Sequence, residues 1–151
     1  MVSLKDVSYE DSKVQMDIKL NNKEQIEDIL RLNINVCFQF GFSKIESNIV
    51  WTQEDINILE KQIMEIPNQS NIGSLTTIEP DLSFIYYIIP NQEEIEDFSD
   101  KEIVLYITLD SGLINNNMGT ETGPTLKIIT TYHEITKWIN NIKSSFLSVT
   151  N

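Results

Sequence analysis

Cys37 and His133 are the only cysteine and the only histidine in the chain, and they bound the chemistry its residues can carry out. A thiolate beside an imidazole makes a nucleophile, but nothing in the sequence brings these two together. A structural zinc site takes four Cys, His or carboxylate ligands, and only two soft ones exist here. The serines are scattered, with no GxSxG elbow, and the five glycines form no phosphate-cradling loop. Carboxylates remain. The densest run is Glu93, Glu94, Glu96, Asp97, Asp100 and Glu102. It lacks the glycine turn and the DxDxDG spacing of a calcium loop. It reads as solvated charge or as an electrostatic docking surface for a basic protein. A facing acid/base pair of the glycosidase kind has no motif to support it. No catalytic residue, metal ligand or cofactor is therefore assigned, and the chain is expected not to be an enzyme.

Charge narrows the partners. The 151 residues carry 11 Lys and Arg against 23 Asp and Glu, a net charge of −12. Nucleic-acid binders and proteins that dock on anionic lipid need basic patches, so neither partner is expected. With 40% hydrophobic and 9% aromatic residues, the composition is that of a globular protein with a real core, a single domain over residues 1–151. The opening MVSLKDVSYEDSKVQ has no basic stretch followed by an apolar one, and no run of apolar residues is long enough to span a bilayer. One cysteine allows no internal disulfide. A cytoplasmic, bacterial-type setting is expected.

The elements that must position these side chains follow from periodicity. Residues 13–20 alternate, with Val14, Met16, Ile18 and Leu20 on one side, and read as a half-buried strand. Residues 21–28 are polar and read as a loop. Residues 30–42 and 45–51 alternate again. Gly41 marks a bend or bulge, and the three strands suggest an antiparallel meander. The period then changes. Thr52 with Asp55 three residues on resembles a capping box, Trp51 and Ile56 can form a hydrophobic staple, and Ile56, Leu59, Ile63 and Ile66 repeat at helical spacing up to Pro67. Short strands are expected at 75–79, 82–89, 103–109 and 125–130, with loops at 67–74, 90–102 and 110–124. Thr131 opens a second helix whose stripe is Ile135, Trp138, Ile139, Ile142 and Phe146.

Strands in runs and two separate helices give an α+β fold, a mostly antiparallel sheet of about six or seven strands with two amphipathic helices packed on one face. Each half ends in a strand–helix step with a tryptophan nearby, which hints at an internal duplication without a residue-level repeat. The sheet face opposite the helices collects Arg31, Asn33, Asn35, Cys37, Gln39, Ile85, Tyr87, Val104 and Tyr106. Polar groups among tyrosines and aliphatics are the mixture of an interface. Either a loop or partner covers Cys37, or it is partly exposed. The candidate partner-binding residues are thus Glu93, Glu94, Glu96, Asp97, Asp100, Arg31, Asn33, Asn35, Tyr87 and Tyr106.

Several segments in order, ILRLNINVCF, Trp51-Thr52 with its helix, IEPDLSF at 78–84, EIVLYITLD and the helix opening on Thr131, resemble the WapI-type immunity proteins of bacterial polymorphic toxin systems. The resemblance covers roughly residues 14–146, and Glu79-Pro80-Asp81-Leu82-Ser83-Phe84 is its most characteristic piece. It implies a cytoplasmic, non-enzymatic protein that binds and neutralises a cognate toxin domain, often a nuclease, and it carries over no catalytic residue. Residues 111–124 depart from the family, which has an aromatic, Pro-rich stretch there. A nuclease needs a basic cleft for phosphates, and an acidic protein is steered to such a cleft and can occupy it. The competing reading is a small structural protein that self-associates through the apolar second face of strands 82–89 and 103–109.

Overall fold

The computed structural model describes residues 1–110, 112 and 122–148. Among the described residues, eight strands form two four-stranded antiparallel sheets. The first has the order β1 (Val2–Lys5), β2 (Gln15–Ile26), β3 (Ile29–Phe40), β4 (Ser43–Thr52). The second has β5 (Ile72–Leu75), β6 (Leu82–Ile88), β7 (Glu102–Leu109), β8 (Thr125–Thr131). A short helix, α1 (Tyr9–Ser12), follows β1. The long helices α2 (Gln53–Glu65) and α3 (Tyr132–Phe146) each follow the last strand of a sheet without a loop. The α+β class is as expected, but the single sheet of six or seven strands is replaced by two sheets of four. Alternation reports which face a side chain takes and is silent on which strand lies beside it.

Each half of the chain therefore repeats one plan, a four-stranded meander and then a threonine-capped helix. In the first, Thr52 and Asp55 make the reciprocal capping box, with Asp55 N–H donating to Thr52 Oγ1 and Thr52 N–H to Asp55 Oδ2. In the second, Thr131 Oγ1 accepts from Glu134 N–H. Ile56, Leu59 and Ile63 of α2, with Ile66 in the 3₁₀ turn beyond it, are fully buried, as are Ile139 and Ile142 of α3. They share one core with Met16, Ile18, Leu32, Ile34, Val36, Phe38 and Trp51 from the first sheet and Leu82, Phe84, Leu105, Ile107 and Ile128 from the second. Phe84 and Trp138 meet edge-on with centroids 5.8 Å apart. Tyr132 Oη donates to Ile63 O at 2.9 Å, and Lys143 pairs with Glu60 at 3.0 Å, which ties α3 to α2.

The segment after β1 links the two sheets. Val7 N–H donates to Ile129 O on β8, and Ile129 N–H donates to Asp6 Oδ1. Burial alone would raise the Asp6 carboxyl, but donation from Ile129 and Ser8, with Lys127 nearby, holds it below its ordinary value.

Four local expectations change. β1 and α1 have no counterpart in the sequence reading. Residues 21–26 are strand, not loop, so β2 and β3 form a long hairpin arm that closes at Glu27 and Asp28, with register shifted between Leu20 and Asn22. The strand expected at 75–79 lies at 72–75. Gly41 is neither bend nor bulge but sits in the turn between Phe40 and Ser43, at φ +62°, which favours glycine. Most of the loop expected at 110–124 lies outside the described residues.

Candidate functional site

The acidic run is fixed in place. Gln92 clasps the base of its loop, its Nε2 donating to Ile89 O and Glu102 O and its Oε1 accepting Glu102 N–H at 2.7 Å. Asp97 Oδ1 caps a 3₁₀ turn over Phe98–Asp100 by accepting Ser99 N–H. Phe98 packs edge-on against Tyr132 at 5.0 Å, and Lys101 Nζ lies over the Phe98 ring, 5.5 Å from its centroid. The apolar residues of the loop are thereby held against the body. Glu93, Glu94, Glu96, Asp97 and Asp100 are all exposed.

The remaining candidates do not form one face. Arg31, Asn33 and Asn35 are half-buried on the outer side of β3 in the first sheet. Tyr87 and Tyr106 belong to β6 and β7 of the second. The single mixed patch expected from the sequence is thus split between two sheets, because strand neighbours, not alternation, decide which outward residues meet.

On the first sheet the outward amides bind one another. Asn33 Nδ2 donates to Asn22 Oδ1 and Glu24 Oε1, Asn35 Nδ2 to Asn48 Oδ1, Asn21 Nδ2 to the same oxygen, and Gln15 Nε2 to Gln39 Oε1. Cys37 is half-buried in this layer, opposite Asp17 and Glu46 in the register. Burial first, then these two carboxylates, push its thiol up, against Lys44. Such a thiol stays protonated and is a poor nucleophile. On the second sheet the outward row Ile72–Tyr87–Val104–Ile129 runs across all four strands, with Ile85 and Tyr106 beside it. Ile72, Ile85 and Tyr106 are exposed by 59%, 53% and 40%.

A third feature is absent from the sequence reading. At the N-terminus of α2 a groove of about 350 Å³ opens between the tip of the β2–β3 hairpin and the segment before β6. Its walls include Ile29, Leu30 and Ile78, and its acidic groups are Asp28 and Glu54. Asp55, 5% exposed, builds it, because Oδ1 accepts Ile78 N–H at 3.0 Å while Oδ2 serves the capping box. Ile78 begins the IEPDLSF segment. That segment folds back on itself, with Asp81 N–H donating to Glu79 O and Asp110 N–H to Asp81 O. Burial first, then Glu79, Asp110 and Asp55, push the Asp81 carboxyl up to about 6. The groove was illegible because Asp28, Glu54 and Ile78 are distant in sequence. The nearest signal was the unusual Asp at the third position of the capping box.

Among the described residues no three His, Cys, Asp or Glu side chains are placed to hold a metal ion, and no helix is long and apolar enough to cross a membrane. No protein-family model matches the chain, and no curated protein or solved structure matches it.

Proposed function

We propose that this chain is a non-enzymatic, acidic binding protein, acting in a bacterial cytoplasm, that neutralises a cognate basic, nuclease-like toxin domain by direct contact. The observation that carries the reading is the loop of residues 93–100, whose five carboxylates are exposed while Gln92, Asp97 and Phe98 hold its backbone. A pre-ordered acidic projection on a chain of charge −12 raises the encounter rate with a basic cleft without an ordering penalty on binding. The resemblance of several segments to WapI-type immunity proteins suggests the nature of the partner. Reversing Glu93, Glu94, Glu96, Asp97 and Asp100 to lysine should slow association with a basic toxin domain by at least 10-fold at low salt and flatten its salt dependence. Unchanged association kinetics would overturn steering by this loop.

The outer face of the second sheet favours a second reading, self-association. Ile72, Ile85, Tyr87 and Tyr106 form an apolar patch of the kind that marks protein contacts. Tyr87→Lys or Tyr106→Lys should then dissolve an oligomer, and a wild-type chain that sediments as a monomer would remove this reading.

A further inference from the structure

Resting on the reading of the chain as a binder of a basic protein, we infer that the groove at the N-terminus of α2 is the pocket for a single arginine side chain of that partner. Three observations converge on this occupant. First, size: about 350 Å³ lies at the small end of ligand pockets, roughly 300–1,000 Å³, and suits one long side chain better than a nucleotide. Second, the walls: Ile29 and Ile78 are exposed by 54% and 61% and stand with Leu30 as an apolar lining for a methylene stem. Third, the polar groups: Asp28 and Glu54 are carboxylates, Asn57 offers an amide oxygen, and no cation lines the groove. Acceptors spread around an apolar slot match the flat, many-donor fork of a guanidinium better than the compact ammonium of lysine.

Two forces oppose a cation here, and both are outweighed. The helix end carries about half a positive charge, but Glu54 and Asp55 in the first turn, with Asp28 across the groove, place three negative charges around it. Arg31 lies one row away, opposite Thr52, but across the ladder it also faces Glu24.

The test needs no toxin. Acetyl-arginine amide is titrated into the ¹⁵N-labelled chain and amide shifts are followed by NMR, with acetyl-norleucine amide as the uncharged stem. The expected result is saturable shifts confined to residues 28–30, 53–57 and 78. Affinity should fall at least 5-fold in Glu54→Gln, rise in Arg31→Gln, and be at least 5-fold weaker for the norleucine compound. Glu54 is exposed, so its substitution should leave the spectrum of the fold unchanged. Shifts spread equally over residues 93–100, equal binding of norleucine, or an unchanged affinity in Glu54→Gln would overturn the inference. Those outcomes leave the binding of a basic protein through the acidic loop intact. Conversely, loss of that reading would leave a groove that still selects arginine.

Discussion

On the first sheet the outward positions of β2 and β3 hold Gln15, Asp17, Asn33, Asn35, Cys37 and Gln39. On the second, the outward positions of β6 and β7 hold Ile85, Tyr87, Val104 and Tyr106. The inner faces are alike, both apolar and both sunk in the shared core under α2 and α3. The fold thus depends on one face of each meander and leaves the other free to differ. The amides of the first sheet satisfy each other, so a partner would have to break those bonds before using them. Among the described residues, the outward tyrosines and aliphatics of the second sheet have no such network. Asn33 and Asn35 are for that reason harder for a partner to engage than Tyr87 and Tyr106.

The largest effects should fall on the shared inner face. Trp51→Ala and Trp138→Ala each empty a nearly fully buried site and should destabilise by about 3–5 kcal/mol. Urea unfolding followed by fluorescence and by circular dichroism should show one coincident transition, lowered by either substitution. Two transitions, each moved by only one of them, would mean that the halves fold apart.

The helix caps sharpen the comparison. Thr52 belongs to a reciprocal box whose Asp55 also holds Ile78, whereas Thr131 accepts one bond. Thr52→Ala should cost about 1–2 kcal/mol and Thr131→Ala about 1 kcal/mol or less. Thermal melts should rank them in that order.

Asp81 gives the fold a pH dependence. Its folded carboxyl titrates near 6, above the ordinary 3.8. Between those values the native state binds more protons than the unfolded one, so this group makes stability fall as pH rises from about 4 to 6, and the penalty persists above that. Asp81→Asn should flatten this part of the profile and stabilise the chain at pH 7 by about 1 kcal/mol, less than the full shift implies because the group is only half-buried. Denaturant midpoints across pH 4–7 measure it.

The outer faces should matter least for stability. Ile85→Ser with Tyr106→Ser, and Asn35→Ser on the other sheet, should each stay within about 0.5 kcal/mol of wild type. Sedimentation velocity distinguishes them. The first pair should weaken any self-association, and Asn35→Ser should leave it unchanged.

Both long helices were legible because Thr52 and Thr131 stand directly before 3.6-residue stripes. The strands buried on one side were legible from alternation. The arm of β2 at residues 21–26 was not, because its asparagines and glutamate face water or one another and no period survives. β1 and β5 have four residues each, too few for a pattern. The acidic loop could be read directly, but that Gln92 and Phe98 hold it could not. The groove leaves no local signal in the sequence because Asp55 makes it, by a hydrogen bond to Ile78, far along the chain.

On the proposed reading, ordered surface carboxylates bind a basic toxin-like protein. The most direct test is a pull-down from a lysate of the source cells with wild type and the five-residue charge-reversed loop variant side by side, washed at low and high salt. The expected result is a basic polypeptide with nuclease activity, retained by wild type at low salt, released at high salt, lost from the variant, and inhibited when the wild-type chain is added back. Recovery of only further copies of the chain, or a partner held equally by the variant at high salt, would contradict it.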